Sequence, residues 1–98
     1  MATITFRRGD SAVYTFAPDD GSGHPVDLTG ATARVEISAA SACIKMPLSL
    51  IGGEFQWAVN DQTMPVLPAR AYRAAFVLTW PDGLTDRDDF VLMIEEGC

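Results

Sequence analysis

Between Val26 and Ile37 a polar turn, Val26-Asp27-Leu28-Thr29-Gly30, runs into Ala31-Thr32-Ala33-Arg34-Val35-Glu36-Ile37, where small or apolar residues alternate strictly with polar ones. A period of two marks a strand with one face in a core and the other in water, because successive side chains leave a strand on opposite sides. A helix would need its apolar residues three and four apart. The pattern predicts a strand over 31–38, with Ala33, Val35 and Ile37 turned inward and Thr32, Arg34 and Glu36 facing solvent. Small alanines on the inner side predict close packing of sheets.

The same period recurs along the chain. Ala2 to Arg8 alternates Ile4 and Phe6 with Thr3, Thr5 and Arg7, and Ala12 to Ala17 alternates Tyr14 and Phe16 with Val13 and Thr15. These read as a strand pair turned at Gly9-Asp10. The stretch from Pro18 to Pro25 is rich in Asp, Gly, Ser and Pro and reads as a surface loop. Ala39 to Ala42 reads as a loose connection. Cys43 to Leu50 and Glu54 to Val59 read as a second strand pair joined at Gly52-Gly53, with Trp57 as a core anchor because Phe55, Trp57 and Val59 share one face.

Asn60 to Pro68 supports at most one helical turn, capped by Asn60 or Asp61, since Pro65 and Pro68 forbid anything longer. Ala69 to Trp80 is the clearest strand, with Tyr72, Ala74, Phe76, Leu78 and Trp80 on one face and Arg73, Ala75, Val77 and Thr79 on the other. Pro81-Asp82-Gly83 closes a hairpin, Pro81 presetting φ and Gly83 accepting the left-handed position. Leu84 to Glu96 returns as the last strand, with Phe90, Leu92 and Ile94 facing in.

About seven short antiparallel strands, with turn signals roughly every 8–12 residues and no amphipathic helix, predict an all-β sandwich; an open barrel is the alternative. Tyr72 sits just inside a strand after a crossover, where immunoglobulin-like sandwiches place a tyrosine whose hydroxyl bonds back to upstream backbone. With 98 residues and no linker, repeat or low-complexity segment, the expectation is one domain over residues 1–98.

A net charge of −6 repels phosphate backbones and anionic membranes, so neither nucleic acid nor membrane is an expected partner. No apolar run approaches the roughly 20 residues that span a bilayer, and the first residues lack the basic-then-apolar order of a signal peptide. The chain is expected to be made in the cytoplasm, leaving it only as part of a particle.

Candidate chemistry is sparse. His24, the single histidine, lies in a Gly- and Ser-rich turn with nothing to fix its tautomer, and Cys43 has only Lys45 nearby as a basic neighbour. Asp19, Asp20 and Asp27, and Asp82, Asp86, Asp88 and Asp89, are oxygen-rich but lack the spacing of a calcium loop and read as solvated turns. Asp86 to Asp89 also reads as protection for an exposed strand edge. Arg8-Gly9-Asp10 matches an integrin-read tripeptide and reads as a hairpin turn. Glu54, Glu95 and Glu96 have no sugar-binding surroundings. No catalytic residue, metal, cofactor or small-molecule substrate is expected. Two cysteines are too few for a zinc site. Cys43 and Cys98 are instead candidates for a disulfide within or between subunits, and Gly30, Trp57, Tyr72, Trp80 and Gly83 are the expected structural anchors.

The order Thr5-Phe6-Arg7-Arg8-Gly9-Asp10, Val26-Asp27-Leu28-Thr29-Gly30-Ala31-Thr32, Leu67-Pro68-Ala69-Arg70-Ala71-Tyr72 and Trp80-Pro81-Asp82-Gly83 resembles small tailed-bacteriophage virion proteins, namely the N-terminal domain of upper baseplate proteins and related tail or head-fibre modules. Gly30 matches a sharp turn into the third strand, whereas Ala69-Arg70 replaces the glycine-containing turn expected before Tyr72. The resemblance implies an immunoglobulin-like fold and a structural role in the virion, as a tail, baseplate or collar component. Its partners would be copies of itself and other virion proteins. The alternative is a capsid decoration or receptor-binding module on the particle surface. Val13, Ala17, Val77 and Val91, opposite the expected core face, would supply an apolar contact patch.

Overall fold

The computed structural model describes residues 2–16, 27–40, 42–60, 62–64 and 67–97. Eight strands follow in order: β1 (Ala2–Arg7), β2 (Ala12–Phe16), β3 (Thr32–Ala39), β4 (Ala42–Pro47), β5 (Ser49–Ile51), β6 (Glu54–Val59), β7 (Ala71–Thr79) and β8 (Thr85–Glu95). They build a five-stranded sheet of order β1-β8-β7-β3-β4 and a three-stranded sheet of order β2-β6-β5. All paired neighbours are antiparallel except β1, which runs parallel to β8.

Two partner assignments differ from the sequence expectation. β1 and β2 do not pair. The turn at Gly9-Asp10, closed by Asp10 N donating to Arg7 O, carries the chain from the large sheet to the small one. Parity explains the result: beside β8, Ile4 aligns with Leu92 and Phe6 with Ile94, so the apolar residues of both strands point into one core. Cys43 to Leu50 is likewise not one strand. β4 pairs with β3 in the large sheet, and the chain crosses after Pro47, which has no N–H to extend a ladder, so that only β5 meets β6. Ala39 and Ala42 are in register, making the expected loose connection a tight hairpin.

The core lies between the sheets. Phe6, Val35, Ile37, Trp57, Val59, Met64, Tyr72, Phe76, Phe90, Leu92 and Ile94 form one buried cluster, and Leu28, Ala31, Ala33, Phe55 and Leu78 a smaller one at the β7–β8 turn end. Aromatic rings tie the sheets together. Phe16 stacks on Phe76 at 5.0 Å, Phe76 on Phe90 at 4.7 Å, and Trp57 meets Phe76 edge-on at 6.4 Å. Such pairs contribute about 0.5–1.5 kcal/mol beyond their buried area. Trp57 Nε1 is buried and meets no hydrogen-bond acceptor among the described residues.

The turn after Val59 is capped as expected: Asn60 Oδ1 accepts from Gln62 N at 2.8 Å and Thr63 N at 3.0 Å. This turn presents Met64, 2% exposed, to the core, which the sequence pattern did not indicate. Residues 61, 65 and 66 lie outside the described residues.

Candidate interaction surfaces

Trp57 is buried at the centre of the small sheet. Tyr72 is buried near the start of β7, and its hydroxyl donates to Pro68 O at 2.6 Å, four residues upstream. Gly30 has φ +81 and a Cβ there would stand 3.2 Å from Pro81, so the turn into β3 and the β7–β8 turn pack against each other through a bare backbone. Gly83 has φ +91, and the hairpin closes with Gly83 N donating to Trp80 O at 2.9 Å.

Trp80 departs from expectation. It lies past the end of β7, half-buried against the smaller cluster, with Nε1 donating to Asp86 Oδ2 at 2.7 Å. Sequence reading also missed Gly97, where a Cβ would collide with the carbonyl oxygen of Arg8. No glycine pattern signals such a close backbone approach, because it depends on β1 lying beside β8. Of the cysteines, Cys43 is a free, exposed thiol on β4, and Cys98 lies outside the described residues. So do Ala17, Asp19, Asp20 and His24. Among the described residues, no three His, Cys, Asp or Glu side chains converge as a metal ion requires.

The outer face of the large sheet is a charged lattice. Arg34 and Glu36, expected in water, are half-buried and buried, and Val77, expected in an apolar surface patch, is 1% exposed. Val91 is half-buried, so Val13, Val77 and Val91 do not form the expected apolar patch, and its fourth member, Ala17, lies outside the described residues. The reason is the strand order. β7 is central, with β8 on one side and β3 on the other, placing Val77 between Arg87 and Arg34 and Ala75 between Asp89 and Glu36. Arg87 Nη1 donates to Glu36 Oε1 at 3.3 Å, so the Arg87 side chain crosses over β7. Arg34 Nε donates to Glu36 Oε2 at 2.6 Å and Arg87 Nε to Asp89 Oδ1 at 3.1 Å. The hydrogen bond from Arg34 holds the Glu36 carboxyl below its ordinary pKa against the opposing effect of burial.

Arg73 stands apart from this lattice. It is exposed in register between Val91 and Ser38, and no hydrogen bond or ion pair engages it among the described residues. Ser38, Arg73, Ala74, Arg87, Asp89 and Phe90 line a depression of about 360 Å³.

The outer face of the small sheet differs. Its rows pair Val13 with Ala58, Thr15 with Gln56 and Ser49, and Glu54 with Ile51, leaving Glu54 as its single charge among the described residues. Val13 is 59% and Ile51 53% exposed. Both β2 and β5 are edge strands, and the β5 residues are exposed throughout.

No family model and no curated protein matches the chain. Among solved structures, murine CRIg, an immunoglobulin-like domain, superposes on 100% of this chain and 94% of its own, with a TM-score of 0.50 and 11% sequence identity. At that identity the likeness bears on fold alone. The fold is an immunoglobulin-like β-sandwich.

Proposed function

We propose that this chain is a structural protein of a tailed-bacteriophage virion, in the tail, baseplate or collar, acting by assembly with copies of itself and other virion proteins. The observation that carries the reading is the small sheet: a nearly uncharged outer face, flanked by two edge strands that expose Val13, Leu50 and Ile51. An exposed edge with apolar side chains is a template for pairing with another chain, and natural sandwiches protect such edges unless they use them. β8 shows the contrast within the same chain. Its first half, which precedes the pairing with β1 at Phe90, carries Asp86, Arg87, Asp88 and Asp89 where its edge is bare. The sequence resemblance to upper-baseplate and fibre modules supplies the virion setting.

Mass spectrometry of particles purified from a lysate of a bacterium carrying the gene tests this. The expected result is the chain in fixed ratio to the other particle proteins across density-gradient fractions. Its absence from intact particles would overturn the reading.

A further inference from the structure

The strands at the borders of the two sheets, β1 and β4 in the large one and β2 and β5 in the small one, are not equally open to pairing. On β4, Lys45 is exposed and Pro47 has no N–H to give. On β1, the Thr5 carbonyl oxygen already accepts from the Tyr14 hydroxyl at 3.0 Å. β5 is only 3 residues long. β2 is longer, carries no charge, and has no neighbour on the side away from β6 among the described residues.

Which backbone groups face that open side follows from the hairpin at the other border of the same sheet. Gly52 and Gly53 have φ 61° and 82°, and Ile51 stands opposite Glu54. A two-residue turn of this hand is closed by a pair that exchanges both hydrogen bonds, and along an antiparallel strand residues bonding one neighbour alternate with residues bonding the other. Glu54, Gln56 and Ala58 therefore turn their N–H and C=O groups toward the β5 side, and Phe55, Trp57 and Val59 turn theirs toward β2. By register the latter bond Phe16, Tyr14 and Ala12. Val13 and Thr15 are left with N–H and C=O groups directed away from the sheet, and their side chains are exposed as well. Within β5 the same alternation leaves Leu50 alone facing outward. The inner side of β2 is also incompletely covered: Ala12, Tyr14 and Phe16 are half-buried, whereas Val59, Trp57 and Phe55 opposite them are at most 2% exposed.

Resting on the assembly reading above, we propose that two copies of this chain pair antiparallel through β2, about a twofold axis at Tyr14, joining their small sheets into one. Val13 of each copy exchanges both of its free hydrogen bonds with Thr15 of the other. This register places Ala12 against Phe16 and Tyr14 against Tyr14 on the inner side, a small residue beside a large one and an aromatic pair of the kind favoured between strands. No charge opposes another, because β2 has none. A second copy is the occupant that the strand itself selects: its free groups and its side chains are complementary to their own twofold image. Both copies present the same surface, so association closes at the dimer.

The test is sedimentation equilibrium of the full chain, in reductant so that cysteines take no part, joined to amide hydrogen exchange by NMR. So short an interface is weak, so the mass should rise from one chain at about 5 μM to two chains at about 500 μM, for a Kd of roughly 10–100 μM. Thr15→Pro removes an N–H that the monomer does not use, and Val13→Lys sets like charges diagonally across the joint. Each is expected to weaken association at least about tenfold while keeping the wild-type far-UV circular dichroism, and Val13→Lys carries the test if Thr15→Pro does not fold. At about 500 μM the Val13 amide of wild type should exchange at least about threefold more slowly than that of Thr15→Pro, and the Thr15 amide more slowly than that of Val13→Lys. Tyr14, bonded to β6, should be slow in all three proteins, and Leu50 fast. Wild type that stays monomeric, masses beyond two chains, a folded Val13→Lys that associates like wild type, or slowing at Leu50 in place of Val13 and Thr15 would each overturn the proposal. Presence of the chain in particles decides the assembly reading separately.

Discussion

The two sheets have the same strand chemistry and opposite outer faces. Both send their apolar residues into one core, and on both the outward residues alternate with the inward ones. In the five-stranded sheet the outward residues at the centre are themselves buried, because β7 has neighbours on both sides whose long charged side chains reach across it and bond one another. In the three-stranded sheet each outer strand has one neighbour and short side chains, so Val13 and Ile51 stay in water. Sheet width, more than hydrophobicity, decides whether a valine on the second face is core or surface.

One substitution made twice breaks this comparison or upholds it. Val77→Asp places a carboxylate at a position 1% exposed, between Arg34 and Arg87 but beneath the lattice they form. It should cost about 3 kcal/mol or more, the scale of burying an ill-paired charge. Val13→Asp, at 59% exposure on β2, should cost below about 1 kcal/mol, mostly strand propensity. Urea unfolding measures both. Equal losses would mean that the lattice does not seal the large sheet.

The pair also marks how far the sequence was legible. The positions and inward residues of β1, β2, β3, β6, β7 and β8, the turns at Gly30 and Gly83 and a cap at Asn60 or Asp61 followed from alternation and turn chemistry, which are local, whereas the division of Cys43 to Leu50 into β4 and β5 did not. Strand partners did not follow. Alternation places Phe6 and Tyr14 on an inward face but does not say which sheet each joins, so β1 beside β8 and the crossing after Pro47 were out of reach. Burial of Val77 and Glu36 depends on those partners, and the Arg73 depression depends on them too, since Ser38, Arg73 and Asp89 meet only once β3, β7 and β8 lie in that order.

The lattice itself is sharpened by pH. Glu36 is buried and accepts from Arg34 and Arg87, and its pKa is lowered in the fold. A lowered folded pKa contributes stability that is complete above the unfolded glutamate value near ~4.3 and is lost as pH falls through the folded value. Glu36→Gln removes that dependence along with the charge and should cost about 1–2 kcal/mol at pH 7. The difference between wild type and variant, followed by thermal melts, should shrink as pH drops below about 4. A gap that stays constant down to that range would detach Glu36 from the sealing of Ala75 and Val77.

The smallest effect separates what holds β7 from what covers it. The Tyr72 hydroxyl donates to Pro68 O at 2.6 Å on the inner side of the sheet, while Arg70 lies over the same ring at 4.8 Å. Tyr72→Phe keeps the ring, its packing and the cation–π contact, and removes one hydrogen bond that ties the incoming crossover to the strand. The expected loss is about 1 kcal/mol, the net value of one such bond. Because this bond lies on the core side, the loss should be the same at pH 4 and pH 7, and it should add to that of Glu36→Gln in the double variant, as for sites without shared partners. An unchanged denaturation midpoint would sink the corner role of Tyr72. Strong coupling to Glu36 would show that the two faces of β7 do not act independently, and with it the contrast between inner and outer faces of the large sheet would fail.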